Sequence, residues 1–193
     1  SLFRDRRRVE VEGIMTETGP HPRRYSHAVR SRKENRTVTM TYRPDGTIET
    51  VIKPKESPGK RKKVPTRLQR NTLDPLSAMI AATTRARQPK DCGFQAPVFD
   101  GRRRTYIRLS FRRRERTPVA FAGVPAWSVK CEARLKRIAG FRPRAIREHP
   151  VPPPVELWSV RHPEAGLWLP VKLRVKAGMS IVVARITKVT VGR

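Results

Sequence analysis

The two cysteines, Cys92 and Cys131, are the residues of this chain best suited to covalent chemistry, and the chain has no others. Cys131 lies in the alternating stretch from Trp127 to Leu135, on the side that carries the apolar residues. A sulfur on such a face is shielded from solvent, so the pattern favours a disulfide with Cys92, formed in an oxidising compartment. Two unrelated buried thiols are the alternative interpretation.

Metal and catalytic chemistry have little support in the sequence. A zinc site needs four ligands at short spacing, and the histidines lie far from the cysteines. They are His21, His27, His149 and His162. There is no Cys-x-x-Cys, no Gly-x-Ser-x-Gly and no His-Glu-x-x-His. We therefore expect no metal, no cofactor and no enzyme. A less favoured alternative has Asp100 and nearby arginines acting on an anionic substrate, although a turn position already explains Asp100.

Basic residues dominate the composition and predict an anionic partner. Lys and Arg total 44 against 16 Asp and Glu, a formal net charge of +28. So large a charge favours anionic lipid headgroups, lipopolysaccharide, nucleic acid or an acidic protein surface. Two clusters flank one predicted strand, so both ends of that strand carry positive charge. The candidate anion-binding residues are Arg102, Arg103, Arg104, Arg112, Arg113 and Arg114.

The elements that must position these residues are mostly strands. Thr37–Tyr42 alternates apolar residues with threonine and, across a Pro44-Asp45-Gly46 turn, predicts a hairpin with Thr47–Ile52. Helical spacing appears once, from an Asp74 cap with proline at the first helical position. We predict a helix over about 74–87. Arg104–Phe111 alternates as a strand, and four later segments are also predicted to be strands.

These patterns predict a mainly β fold, an antiparallel β-meander forming an open barrel or sandwich with one short α-helix. Residues 1–36 are expected to form a basic N-terminal strand or arm of the same domain, and residues 37–193 a single antiparallel β domain. No run of 18 or more apolar residues is present, so we expect no transmembrane helix. The chain begins at Ser1 rather than Met, so we presume that a signal peptide is missing from this sequence.

Four segments together resemble the proteobacterial members of domain-of-unknown-function family 3108. They are Leu73-Asp-Pro-Leu76, Cys92 with Pro97-Val-Phe-Asp-Gly-Arg-Arg-Arg104, Cys131 with Arg137-Ile-Ala-Gly-Phe141, and Leu167-Trp-Leu-Pro-Val171. The run from Phe99 through the Asp100-Gly101 turn to Arg104 is the most specific of them. The resemblance implies an exported, periplasmic protein with a barrel-like antiparallel meander, and it assigns no activity.

The expected function is therefore non-enzymatic binding in the cell envelope. The partner would be an anionic or amphipathic component, such as lipid or lipopolysaccharide, or an envelope protein. The apolar strand faces, the expected disulfide and the basic residues motivate this hypothesis. The alternative is a cytoplasmic, basic nucleic-acid-binding protein of ribosomal or nucleoid type, which rests on the net charge alone.

Overall fold

The structure is a computed structural model. It describes residues 6–32, 34–57, 61–84, 92–120, 124–164, 166, 168–177 and 180–188. Leu167, the first residue of one family motif, lies outside the described residues.

The described part of the chain contains ten strands and three short helices. The strands are β1 (Arg6–Thr16), β2 (Gly19–Arg30), β3 (Asn35–Tyr42), β4 (Ile48–Lys53), β5 (Gln95–Phe99), β6 (Arg104–Thr117), β7 (Ala126–Ala139), β8 (Val155–Arg161), β9 (Trp168–Ala177) and β10 (Ser180–Arg185). The helices are α1 (Thr66–Gln69), α2 (Pro75–Thr84) and α3 (Pro143–Glu148).

Two open antiparallel sheets contain all ten of these strands. One has the order β1-β2-β3-β4 and the other the order β10-β9-β8-β7-β6-β5. Strands that follow one another in the chain pair side by side in both sheets, which is the meander that the sequence predicts. The fold class is confirmed: the protein is mainly β and antiparallel, and neither order of the described strands closes into a barrel.

The β3–β4 hairpin shows how local chemistry sets the register. The Oδ1 atom of Asp45 accepts hydrogen bonds from the backbone N–H and the hydroxyl of Thr47, at 3.0 and 2.6 Å. Gly46 has a φ of +77°, a left-handed conformation that costs glycine little. The turn aligns Tyr42 with Ile48 and Met40 with Thr50. Met40 is consequently buried, as the alternation predicts.

Helix α2 is the predicted helix, and its cap is Asp74. The Oδ1 atom of Asp74 accepts hydrogen bonds from the backbone N–H groups of Leu76 and Ser77, both at 2.9 Å. Burial raises the pKa of this carboxyl, although these hydrogen bonds act in the opposite direction. The predicted end near Arg87 lies outside the described residues.

Two further helices accompany the predicted one. Helices α1 and α3 have only four and six residues, and neither buries a residue completely. Such short helices carry too few residues to show an apolar period of 3.6, which is why the sequence pattern does not reveal them. Proline at the first position of α3 is the one local signal.

The chain forms two compact units, each with its own apolar cluster. The first comprises Ser1–Ala78, Ala96–Tyr106 and Arg137–Pro150, and the second comprises Met79–Gln95, Ile107–Lys136 and Val151–Arg193. The first unit has a cluster of Tyr25, Met40, Ile48, Val64 and Phe99. The second has a cluster of Val119, Trp158, Val160 and Val171. The division into an arm of residues 1–36 and a domain of residues 37–193 stays a prediction.

Candidate anion-binding site

Arginines from separate parts of the first unit surround a cavity of about 330 Å³. We call it the arginine cavity and define it by Arg7, Arg36, Arg61, Arg102, Arg103 and Arg142. His27, Glu34, Asp100 and Phe141 also line it. The sequence separations between the arginines are large, so only the folded chain brings these charges together.

Strands β2 and β3 place His27 and Arg36 on the side of their sheet that faces the core. Side chains two residues apart on a strand share a face, so His27 lies with the buried Tyr25 and Val29. Arg36 likewise follows the phase of the buried Val38 and is paired across the sheet with Val29. An arginine in such a register loses water on folding and needs a local anion.

The Asp100-Gly101 turn places two more arginines in the cavity wall. The Oδ1 atom of Asp100 accepts hydrogen bonds from the backbone N–H groups of Arg102 and Arg103, at 2.9 and 2.6 Å. The Oδ2 atom accepts a further bond from Nε of Arg103, at 2.8 Å. Gly101 has a φ of +82°, and a Cβ there would lie 2.3 Å from Cγ1 of Val38. This position therefore requires glycine.

Glu56 is the carboxylate around which three of the arginines gather. It pairs directly with Arg102, and its Oε1 atom lies 3.6 Å from Nη1 of Arg36 and 3.7 Å from Nε of Arg61. The side chains of Arg36, Arg61 and Arg102 are only 16%, 11% and 10% exposed. Three guanidinium groups therefore share one carboxylate in a partly dry environment.

Glu34 adds a second carboxylate to this group. It pairs with Arg36 and lies 4.0 Å from Nη1 of Arg102. The two carboxylates do not fully offset the burial and mutual repulsion of the guanidinium groups. Burial, followed by the charge of Arg102, lowers the pKa of both Arg36 and Arg61. Burial acts to raise the pKa of Glu56, but the hydrogen bond and charge of Arg102 outweigh it and hold that pKa below its usual value.

Several cationic donors of the cavity have no acceptor among the described residues. The Nε atoms of Arg61 and Arg102 are buried and make no hydrogen bond. Arg142, at the N-terminal cap of α3, forms no ion pair in the described part of the chain. Buried donors are normally paired, and an unpaired one costs about 1–3 kcal/mol. The two Nε atoms are enclosed by protein, whereas the exposed Arg142 is a cation available to an anion that enters the cavity.

His27 adds a titratable group to the cavity. Burial lowers the pKa of its imidazole, and the charges of Arg7, Arg36 and Arg103 lower it further against the opposing effect of Asp100. At neutral pH the ring is therefore neutral and offers one N–H donor and one acceptor.

The structure places only two of the six predicted anion-binding arginines in the arginine cavity. These are Arg102 and Arg103, which directly follow the Asp100-Gly101 turn. The cavity also contains four arginines that the sequence analysis did not single out: Arg7, Arg36, Arg61 and Arg142. Arg36 could have been found, because its position two residues before Val38 puts it on the buried face of a well-signalled strand.

The other four predicted residues have different surroundings. Arg104 donates hydrogen bonds to the backbone carbonyls of Leu68 and Thr105, at 2.9 and 2.6 Å. The other three lie further along β6, and all three are exposed. Arg112 pairs with Glu132 at 2.6 Å, and Arg113 pairs with Glu115 at 2.5 Å. An anion-binding role for these four residues stays a prediction.

The cysteine prediction is confirmed. A disulfide joins Cys92 to Cys131 in the second unit, with the Cα atoms 5.9 Å apart. Both cysteines are buried, and Cys131 lies on the buried face of β7. The bond is therefore shielded from exchange with solvent thiols. The disulfide joins residues that are 39 positions apart in the sequence.

The described residues contain no group of three or more His, Cys, Asp or Glu placed to hold a metal ion. None of the helices in the same residues is long and apolar enough to cross a membrane.

These features define a mainly β protein with two open antiparallel sheets, a buried disulfide and an arginine-lined cavity. The chain belongs to the family described as protein of unknown function (DUF3108), whose model matches residues 1–187. The resemblance found in the sequence motifs is confirmed by this match. No curated protein and no solved structure matches the chain.

Proposed function

We propose that this protein is a non-enzymatic binding protein of the cell envelope and that its ligand is an anionic molecule held in the arginine cavity. The observation that carries the proposal is the convergence of Arg36, Arg61 and Arg102, each at most 16% exposed, with the other arginines on one cavity. Burial lowers the pKa of Arg36 and Arg61, and an anion in the cavity would offset part of the cost of burying these charges. Charge-assisted hydrogen bonds from guanidinium groups to oxyanions are among the stronger polar contacts in proteins.

The size of the cavity supports a small group rather than an extended polymer. Its volume of about 330 Å³ lies near the lower end of small-molecule pockets. Three of its arginines are at most 16% exposed, so a ligand must enter the cavity to reach them. The backbone of a nucleic-acid duplex would meet mainly the exposed basic residues outside it.

The periplasm is the compartment that we propose. Support comes from the disulfide between Cys92 and Cys131, because such bonds form and persist in oxidising compartments. Intact-mass measurement of protein purified from its native host, before and after reduction with thiol alkylation, tests this. Two alkylated thiols without prior reduction would contradict the proposed location.

The cavity is tested by measuring the thermal unfolding midpoint with increasing concentrations of phosphate, sulfate and citrate at constant ionic strength. A ligand at about one hundred times its dissociation constant stabilises the folded state by about 2.7 kcal/mol. We expect at least one anion to raise the midpoint of the wild type, and Arg142→Gln to weaken that response. Arg114→Gln removes the same charge from an exposed position outside the cavity lining and serves as the matched control. An equal loss in both variants, or no response in the wild type, would contradict the proposal.

Nucleic-acid binding is the second candidate, favoured by the formal net charge of +28. It predicts an affinity for DNA or RNA that falls steeply with salt, with a logarithmic slope of about −0.9 for each phosphate contacted in duplex DNA. Fluorescence anisotropy with a labelled duplex measures this slope. Weak binding at physiological salt would eliminate this candidate.

A further inference from the structure

The charge balance of the arginine cavity limits which anions can complete it. Arg7 has a further interaction and is left out of the charge count. Five other arginines line the cavity. Three carboxylates lie among those five: Glu34, Glu56 and Asp100. These five arginines therefore exceed the three carboxylates by two positive charges. A bound anion with a single negative charge would offset only half of this excess.

The cavity donors converge from different directions. Arg61 follows β4, Arg102 belongs to the turn between β5 and β6, and Arg142 caps α3. Arg61 is fixed by a hydrogen bond of 3.1 Å from its Nη1 atom to the carbonyl of Gly140. A planar carboxylate presents two oxygens in one plane, whereas a tetrahedral phosphoryl group presents three terminal oxygens in different directions.

We infer that the ligand of the arginine cavity is a phosphorylated molecule held by the dianionic form of a phosphomonoester group. This inference rests on the proposed function and specifies the chemical class of the ligand. A phosphomonoester carries a charge of about −1.5 to −2 at neutral pH, which matches the excess of two positive charges. A sulfate monoester has the same tetrahedral shape with one negative charge, and a carboxylate has one charge and two oxygens.

The same chemistry has two possible sources. The phosphoryl group belongs either to a membrane lipid with a phosphomonoester headgroup or to a small soluble phosphate ester. A cavity of about 330 Å³ encloses the phosphoryl group and a limited part of the molecule that bears it. Recognition of the phosphoryl group is common to both sources, and the remainder of the ligand distinguishes them.

Isothermal titration calorimetry with phenyl phosphate, phenyl sulfate and benzoate tests the inference. The three share a phenyl ring and differ in the charge and shape of the acidic group. The titrations use the full chain at about pH 8, well above the second phosphomonoester pKa of about 6. We expect phenyl phosphate to bind at least about tenfold more tightly than the other two, since it adds one negative charge among guanidinium groups. Arg142→Gln should reduce this preference, and Arg114→Gln should not.

The outcomes separate the inference from the function on which it rests. If phenyl sulfate or benzoate binds as tightly as phenyl phosphate, and Arg142→Gln weakens all three equally, the anion site stands and the phosphomonoester inference is wrong. If none of the three binds, and phosphate, sulfate and citrate also leave the unfolding midpoint unchanged, the proposed function itself fails.

Vesicle co-sedimentation separates the two sources. One set of phosphatidylcholine vesicles contains phosphatidic acid, which has a phosphomonoester headgroup. The other contains phosphatidylglycerol, a phosphodiester, at matched surface charge. Stronger binding to phosphatidic acid, reduced by Arg142→Gln, supports a lipid source. Equal vesicle binding together with tight phenyl phosphate binding supports a soluble source.

Discussion

The substitution Glu56→Gln tests the ion cluster that shapes the arginine cavity. The Glu56 side chain is 27% exposed and lies within 3.7 Å of Arg36, Arg61 and Arg102. Coulomb's law with an effective dielectric constant of about 20 gives about 4 kcal/mol for one pair at roughly 4 Å. Desolvation of the carboxylate and residual solvent screening offset most of the summed attraction. We expect the substitution to lower the free energy of unfolding by about 2 kcal/mol at neutral pH.

The pH dependence of the stability lost in Glu56→Gln tests whether the loss is electrostatic. The pKa of Glu56 in the folded chain lies below its ordinary value of 4.5. Its stabilisation is therefore fully present above the unfolded pKa and is lost as the pH falls through the lower folded value. Urea denaturation followed by circular dichroism, at several pH values and constant ionic strength, measures the difference between wild type and variant. That difference should shrink in acid.

A matched control is available in the same unit. Glu49 pairs with Arg43 at 2.6 Å, but both side chains are more than half exposed. Such a pair is expected to contribute less than about 1 kcal/mol, so Glu49→Gln should have a small effect. The reasoning is refuted if the two variants lose equal stability, or if Glu56→Gln matches the wild type at neutral pH. Glu56→Gln should also bind phosphate more tightly than the wild type, because it leaves a larger excess of positive charge in the cavity.

Three further predictions concern the framework of the protein. Replacing both Cys92 and Cys131 by alanine should lower the free energy of unfolding by about 4 kcal/mol by the loop-entropy estimate, measured by urea denaturation against the oxidised wild type. Asp74→Ala should cost about 1–2 kcal/mol by loss of the helix cap, whereas Asp74→Asn keeps an acceptor and should cost little. Because burial raises the Asp74 pKa, the free energy of unfolding of the wild type falls as the pH rises through the raised pKa. Asn does not titrate, so the stability of Asp74→Asn relative to the wild type should increase towards neutral pH. Gly140→Ala places a Cβ 2.1 Å from the carbonyl oxygen of Arg102 at a φ of +81°, and should cost at least about 2 kcal/mol in the same assay. Gly19→Ala is the control, because its added Cβ has open space around it at a φ of +123° and the variant therefore measures only the backbone strain. An equal loss of unfolding free energy in both variants would contradict the steric argument.

Much of the fold follows from local patterns in the sequence. Period-two alternation identifies strands such as Thr37–Tyr42, and the Pro44-Asp45-Gly46 turn sets the β3–β4 hairpin. The Asp74 cap identifies α2. These signals work because a strand or a cap depends on residues within a few positions of one another. The two short helices show no apolar period of 3.6, and the proline that begins α3 is the one local signal for them.

Local sequence patterns predict only part of the candidate site. Runs of arginine drew attention to Arg102–Arg104 and Arg112–Arg114 as clusters along the chain. In the structure, only Arg102 and Arg103 of these line the cavity, and the other lining arginines come from different parts of the chain: Arg7, Arg36, Arg61 and Arg142. Whether an arginine is solvated or held against a carboxylate depends on long-range packing, and its sequence neighbours do not report this.

The sequence alone predicted the β class, the antiparallel meander and the family motif at Asp100-Gly101, and it favoured a disulfide between Cys92 and Cys131. These depend on residue spacing, turn chemistry and the presence of just two cysteines. Only the tertiary structure decided that Glu56 gathers Arg36, Arg61 and Arg102 from three separate segments. The sequence does not predict these ion pairs, because a buried guanidinium group pairs with a carboxylate that tertiary packing places nearby, whatever their separation along the chain.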